Sequence, residues 1–153
     1  MLDWRAFTND PNNREAITRM DAFFRSITRV EDISRREMVV EFGRRLEVLD
    51  IGAAGHVAQQ QPGGWEHGLT KQAAKRAVAV DINKANVDHY NSMGFDFRHG
   101  DATSDIDLGD RFDRIFIGDV IEHVNDPVLL LKFAQRHLKP DGRILVTTPN
   151  PFS

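Results

Sequence analysis

Residues 47–56 read EVLDIGAAGH, an apolar segment that holds one internal acid and ends in a run of small residues. Such a segment predicts a buried β-strand followed by a tight turn. Because Gly52, Gly55 and the two alanines between them carry almost no side chain, the backbone there can turn sharply and approach a ligand closely. The stretch therefore indicates a ligand site next to Asp50, although a glycine pair after a strand also occurs in ordinary strand-to-helix turns.

Strand-like and helix-like segments alternate after this stretch. The predicted strands are 46–51, 77–80, 95–98, 114–117 and 143–147, and the predicted helices between them are 53–60, 83–93 and 127–138. Strands that are apolar almost throughout and separated by helices indicate a parallel sheet covered on both faces. With right-handed crossovers this is an α/β fold with a doubly wound, mostly parallel, Rossmann-like sheet. Residues 59–68 are expected to interrupt the first crossover as an irregular loop.

Residues 1–45 are predicted to form an N-terminal helical segment ahead of a core at 46–153, within one domain overall. The first helix carries an apolar stripe made of Ala16, Ile17, Met20, Phe23, Phe24 and Ile27. A second helix is expected to begin at Ser34, because Ser34 and Glu37 have the spacing of a capping box. The arginines at 35–36 on this helix are interpreted as a solvated basic patch.

The chain has 153 residues, of which 41% are apolar and 28% charged, with a net charge of -3. This composition is typical of a globular domain and gives no reason to expect nucleic acid or a membrane as a partner. The absence of cysteine excludes disulfides, thiolate zinc sites and a cysteine nucleophile. The N-terminus does not resemble a signal peptide, so a cytoplasmic protein is expected.

Acids follow the ends of several predicted strands, where open parallel sheets bind ligands. Asp81 is placed to accept hydrogen bonds from the two hydroxyls of a ribose, and Asp101 to accept from an exocyclic amine such as that of adenine. A mainly carboxylate rim does not suit phosphates, and the sequence has neither the dinucleotide fingerprint nor a GK[ST] loop. An adenosine that bears a sulfonium and an ammonium group fits this pattern.

The motifs resemble those of the class I S-adenosylmethionine-dependent methyltransferases, in the right order over residues 46–150. Residues 49–55 look like the first motif, Asp81 like the ribose-binding acid, residues 101–102 like the adenine-contacting pair, and LKPDGRILV at 138–146 like the entry to the fifth strand. In place of the central glycine of the first motif this chain has an alanine.

Residues 119–127, DVIEHVNDP, and TPN at 148–150 resemble the branch that modifies small molecules and sugars. The resemblance implies S-adenosyl-L-methionine as cofactor and a small-molecule or glycan-type methyl acceptor. The residues assigned to the cofactor are Asp50, Gly52, Ala53, Ala54, Gly55, Asp81, Ile82, Asp101, Ala102 and Asp119. By the resemblance, Asp50 stabilises the ammonium of the methionine moiety directly or through water.

His123 is the candidate catalytic residue, and a hydrogen-bonded structural histidine is the alternative interpretation. Asp119, Glu122 and His123 also resemble a pattern through which some related O-methyltransferases hold a divalent ion. Three ligands of mixed type are few for a hard cation, so no metal site is predicted. Trp65 and His67 could line a substrate pocket, and the alternative interpretation is that the aromatic residue anchors its glycine-rich loop.

Two other functions stay open at this stage. A non-catalytic module that binds adenosylmethionine or a nucleoside, or a fragment of a larger enzyme, is the main alternative, because the resembled fold has seven strands and this chain reaches only the fifth. The strand at 143–147 then has an open edge, which predicts either a homodimer through that edge or a longer enzyme. A nicotinamide-dependent oxidoreductase is less favoured, because the third glycine of its fingerprint is missing.

Overall fold

The structure is a computed structural model that describes residues 34–55 and 65–149, together with helical positions at Arg14, Glu15, Thr18, Arg19 and Ala22. The chain divides into two compact units, Met1–Ile33 and Ser34–Ser153. The predicted apolar stripe of the first helix lies outside the described residues. The division at residue 45 stays a prediction, while the second unit as found includes the helix that begins after Ser34.

Helices and strands alternate through the described part of the second unit. The helices are α1 (Arg35–Gly43), α2 (Glu66–Ala73), α3 (Lys84–Ser92) and α4 (Pro127–Arg136). The strands are β1 (Glu47–Ile51), β2 (Arg76–Asp81), β3 (Phe97–His99), β4 (Phe112–Gly118) and β5 (Leu138–Thr147).

The five strands form one sheet in the order β3-β2-β1-β4-β5, and every neighbouring pair is parallel. This order confirms the predicted Rossmann-like fold. The chain builds outward from β1 to β3 on one side and then continues with β4 on the other side of β1. Ligands bind at such a switch point, outside the carboxyl ends of the two central strands.

Side-chain alternation along the strands divides the core into two layers. Leu49 and Ile51 of β1 face α4, whose Leu130 and Phe133 are fully buried against them. The opposite face carries Asp50 and its register partners in β2 and β4. Helices α1, α2 and α3 cover that face. Burying each large apolar side chain of these layers contributes about 1.5–3 kcal/mol to folding.

Helix starts follow the local signals of the sequence. Ser34 and Glu37 form the predicted capping box at α1, with the Glu37 backbone N–H donating to Ser34 Oγ at 3.2 Å. Asp126 caps α4 by accepting from the backbone N–H groups of two residues of the first turn, and Pro127 occupies the first helical position. Both starts were expected from the sequence.

The first crossover differs from the expectation. Residues 52–54 form a turn rather than the start of a helix, and residues 56–60 of the predicted helix lie outside the described part. A helix begins instead at Glu66, inside the segment expected to be an irregular loop. The glycines at 63, 64 and 68 conceal this helix in the sequence, because glycine lowers helix propensity.

The amino end of the sheet is held by ion pairs. Lys139 donates to Glu47 Oε2 at 2.8 Å and to Asp113 Oδ1 at 3.1 Å, and Lys75 donates to the other Glu47 oxygen at 2.9 Å. The Lys139 and Lys75 ammonium groups lower the pKa of Glu47 to about 2. None of the described helices is long and apolar enough to cross a membrane.

Candidate functional site

A cleft of about 750 Å³ opens at the carboxyl ends of β1, β2 and β4. Seven of the residues predicted from the sequence line it, and they are Asp50, Gly52, Ala53, Gly55, Asp81, Asp119 and His123. The topology therefore brings together residues that lie up to 73 positions apart in the chain. Arg35, Trp65, Glu66 and His67 also line the cleft, although the sequence assigned none of them to the cofactor.

The turn after β1 has a backbone that favours glycine. Gly52 has a φ of 74°, and a Cβ atom built on it would lie 2.3 Å from Val120 Cγ2. Its N–H donates to the carbonyl of Val80 at 2.9 Å, so the turn is tied to β2. The conformation and the lack of space both account for glycine at this position.

Asp81, the last residue of β2, is tied to the same turn. Its Oδ2 accepts from the backbone N–H of Ala54 at 3.1 Å, and its Oδ1 accepts from the N–H of Asn83 at 2.8 Å. Ala54 is fully buried, so it supports the turn from behind rather than lining the cleft. The two hydrogen bonds hold the Asp81 carboxylate in one orientation at the cleft.

Asp50 and His67 form a buried pair beneath the cleft. The exposed fraction of Asp50 is 3% and that of His67 is 1%. His67 Nδ1 lies 2.9 Å from Asp50 Oδ2. Because Asp50 faces the layer of α1, α2 and α3, the second residue of α2 meets its carboxylate directly.

Trp65, the N-cap of α2, anchors that helix to the turn after β1. Its indole Nε1 donates to the carbonyl of Ala53 at 2.9 Å. The ring stacks on Tyr90 with centroids 4.4 Å apart and contacts Phe95 and Phe97. Trp65 therefore anchors its segment, as one interpretation of the sequence expected, and it also lines the cleft.

Arg35 is the only arginine or lysine among the described residues that line the cleft. Its guanidinium pairs with Asp119 Oδ2 and approaches Glu66 Oε1 at 3.3 Å. The sequence interpretation of Arg35 as part of a solvated patch is wrong, because the first turn of α1 points it into this cluster. Burial raises the pKa of Glu66, and the Arg35 charge partly opposes that shift.

Asp119 follows β4 in a left-handed conformation, with a φ of 53°. Its backbone N–H donates to the carbonyl of Thr147 at 3.0 Å, which fixes the chain as it leaves the sheet. Non-glycine residues adopt this conformation infrequently, and aspartate is one of those that tolerate it best. The geometry directs the Asp119 side chain toward Arg35.

His123 lies at the cleft with its side chain 76% exposed and Nε2 4.0 Å from Glu122 Oε1. Glu122 accepts instead from the Thr148 hydroxyl at 3.2 Å, and Asp119 pairs with Arg35. Within residues 34–55 and 65–149, no three histidine or acidic side chains are arranged to hold a metal ion.

Four of the predicted cofactor residues are not among the described residues that line the cleft: the buried Ala54, and Ile82, Asp101 and Ala102. Asp101 Oδ1 accepts from the backbone N–H and the hydroxyl of Thr103, both at 2.7 Å, and these bonds lower the pKa of Asp101. The Ile82 residue is 68% exposed. The adenine-binding role of Asp101 and Ala102 and the assignment of Ile82 and Ala54 to the cofactor stay predictions.

Residues 14–153 match the family model described as a methyltransferase domain. This chain therefore belongs to the methyltransferase domain family, which confirms the class indicated by the motifs at the strand ends.

Similar proteins agree with this class. A protein of Dinoroseobacter shibae named ubiquinone biosynthesis O-methyltransferase is 28% identical over 134 residues, covering 78% of this chain and 51% of the relative. The YcgJ protein of Bacillus subtilis, whose structure is solved, is 27% identical in sequence, with a TM-score of 0.57. The match covers 72% of this chain and 48% of the YcgJ chain. This chain thus spans about half the length of these two proteins.

A third similar protein shares the fold. The N-methyltransferase NodS of Bradyrhizobium japonicum, solved in complex with S-adenosyl-L-homocysteine, is 15% identical with a TM-score of 0.56. The match covers 73% of this chain and 59% of NodS.

Proposed function

We propose that this chain binds S-adenosyl-L-methionine in the cleft and transfers its methyl group to a small-molecule or glycan-type acceptor. The observation that carries the proposal is the convergence of Asp50, Asp81 and Asp119 on the Gly52 turn. Family membership and the adenosylhomocysteine complex of a protein with the same fold support it.

The groups present suit each part of this cofactor. Asp81 offers a fixed carboxylate for the two ribose hydroxyls, as ribose-binding acids do in folds of this kind. Asp50 offers a negative charge for the ammonium of the methionine moiety. Arg35, the one arginine or lysine among the described residues that line the cleft, offers a positive charge for the carboxylate of the methionine moiety. The acidic balance of the remaining wall suits a cationic cofactor.

When bound, adenosylmethionine supplies an electrophilic methyl group on a positively charged sulfur. The chain contributes alignment of the methyl group with the acceptor and exclusion of water, and such positioning supplies a large part of the rate in reactions between two bound partners. A protonated acceptor must also lose a proton. We assign that role to His123, whose exposed imidazole lies at the cleft.

The relatives favour one class of methyl acceptor. The D. shibae protein is named an O-methyltransferase of ubiquinone biosynthesis, which favours the hydroxyl oxygen of a small molecule as the methylated atom. A glycan hydroxyl or amine is the other acceptor class that the sequence resemblance implies. The proposed location is the cytoplasm.

Calorimetry with adenosylhomocysteine, in competition with NAD, tests the cofactor. We expect adenosylhomocysteine to bind and NAD to leave that binding unchanged. Methyl transfer is then followed as release of adenosylhomocysteine, with a catechol and an amino sugar as acceptors. Displacement by NAD favours the oxidoreductase alternative, and binding without transfer to any acceptor favours the non-catalytic module.

The outer edge of β5 is a candidate surface for association with a second copy of the chain or with further strands. Within the described sheet β5 pairs with β4 on one side only. We propose that its other edge pairs with a second copy or with further strands of a longer protein, because unpaired backbone groups of an edge strand favour association. Light scattering that finds a monomer at high concentration, together with methyl transfer by this chain alone, contradicts this proposal.

A further inference from the structure

We propose that His67 is a positioning residue for the amino acid moiety of the cofactor, which it serves by holding the Asp50 carboxylate. The inference rests on the proposed function. His67 lies on α2, 17 positions along the chain from Asp50, which lies on β1.

A buried carboxylate needs a hydrogen-bond donor, because removing its charge from water is costly. Asp50 is 3% exposed, and the donor that the described residues offer it is His67 Nδ1 at 2.9 Å. The strand register explains why the two side chains are in contact. Asp50 lies on the same face of the sheet as Ala79 of β2 and Phe116 of β4, which is the face opposite to α4.

The surroundings of His67 favour one position for its ring proton. Its Nε2 is buried and has no hydrogen-bond partner in the described part of the chain. A proton on Nε2 would leave an unsatisfied N–H at that position, whereas a proton on Nδ1 leaves only a lone pair there. We therefore assign the proton to Nδ1, which donates to Asp50 Oδ2 at 2.9 Å.

The ring itself is held on two sides. Its centroid lies 5.3 Å from that of Trp65 and 5.1 Å from that of Phe97, the latter in an edge-on arrangement. Because Asp50 Oδ2 is engaged by this fixed donor, we assign Oδ1 to the ammonium of the ligand. Of the other acids of the cleft, Glu66 and Asp119 pair with Arg35, and Asp81 accepts from two backbone N–H groups.

Two ligands separate a positioning role from a structural one. Adenosylhomocysteine carries the amino acid moiety, and methylthioadenosine lacks it. We expect His67→Leu, which removes the donor, to weaken adenosylhomocysteine about tenfold or more, since a hydrogen bond to a charged group is lost. Methylthioadenosine affinity should stay within about twofold. His67→Asn, whose side-chain amide N–H can donate as Nδ1 does, should restore most of the adenosylhomocysteine affinity.

The matched control is His137→Leu, which removes a buried histidine that does not line the cleft. It should leave the affinity ratio of the two ligands unchanged. Equal weakening of both ligands in His67→Leu overturns the inference but leaves the proposed function standing. Failure of the parent to bind adenosylhomocysteine overturns the proposed function itself. If His67→Leu does not fold, nitrogen-detected NMR of the parent still decides, because a ring protonated at Nε2 alone contradicts the inference.

Discussion

The backbone N–H of Ala54 donates to the carboxylate of Asp81 at 3.1 Å, so the end of β2 and the turn after β1 are joined by a direct hydrogen bond. One acid therefore serves two purposes, because the group proposed to bind ribose also shapes the turn that is proposed to approach the methionine moiety. Changes to either side of this contact should affect both cofactor binding and the local backbone.

Replacement of Asp81 should weaken the cofactor. Asp81→Ala removes the charge-assisted acceptor of the ribose hydroxyls and the partner of Ala54, so we expect adenosylhomocysteine to bind about 10- to 100-fold more weakly. Calorimetry measures the affinity. Asp88→Ala is the control, since Asp88 lies on α3 and pairs with Lys84 of the same helix. Equal affinity in the parent and Asp81→Ala contradicts the assignment of Asp81.

Replacement of Gly52 should be more damaging than replacement of a comparable glycine. Gly52→Ala forces a Cβ atom against Val120 and strains a φ of 74°. Gly94 has a φ of 83° but open space around its Cβ position. We expect Gly94→Ala to cost about 1 kcal/mol of unfolding free energy from strain alone, and Gly52→Ala to cost about 1–3 kcal/mol more, measured by urea unfolding. A smaller loss in Gly52→Ala than in Gly94→Ala contradicts the structure of this turn.

The ion pairs of Glu47 predict a pH dependence of stability. Because Lys139 and Lys75 lower the pKa of Glu47 to about 2 from its usual value of 4.5, the stabilising contribution of Glu47 is fully present above about pH 4.5. That contribution is lost as the pH falls toward 2. Glu47→Gln should thus lower the urea midpoint at pH 7, and the difference from the parent should shrink between pH 4.5 and 2.

Glu41→Gln is the control for this prediction, because Glu41 is 64% exposed and pairs with Arg44 at the end of its own helix. A difference between parent and Glu47→Gln that stays constant over the whole pH range shows that the lysine contacts do not stabilise the fold.

Removal of His137 should destabilise the fold without affecting the cleft. Its Nδ1–H donates to the carbonyl of Phe133 at 2.8 Å, and its Nε2 accepts from the backbone N–H of Leu108 at 2.9 Å. His137→Leu leaves that N–H unpaired, which costs about 1–3 kcal/mol of unfolding free energy. His89→Leu, on the exposed side of α3, should change stability by less than about 0.5 kcal/mol.

Local signals in the sequence were enough to predict the sheet and the starts of α1 and α4, but not the start of α2. The capping box at Ser34 and the proline at 127 depend only on neighbouring residues. The strand-end acids Asp50 and Asp81 could be predicted as site residues, because parallel strands place their carboxyl ends together.

The roles of Arg35 and His67 depend instead on tertiary contacts. Arg35 reads as an exposed helix residue until α1 packs on the sheet and places it beside Asp119. The His67 pairing depends on α2, whose glycine-rich approach hides the helix, and on the face that Asp50 adopts. Neither contact has a signature at fixed spacing in the sequence.

The Trp65 indole donates a hydrogen bond to the carbonyl of Ala53, in the turn after β1, and lies on the wall of the cleft. The chain contains only one other tryptophan, Trp4. Its intrinsic fluorescence therefore includes a chromophore in contact with the proposed cofactor position, and a Trp4→Phe variant isolates that emission. Ligands that enter the cleft should change the intensity or wavelength of this light, so cofactor exchange becomes measurable in real time on unlabelled protein.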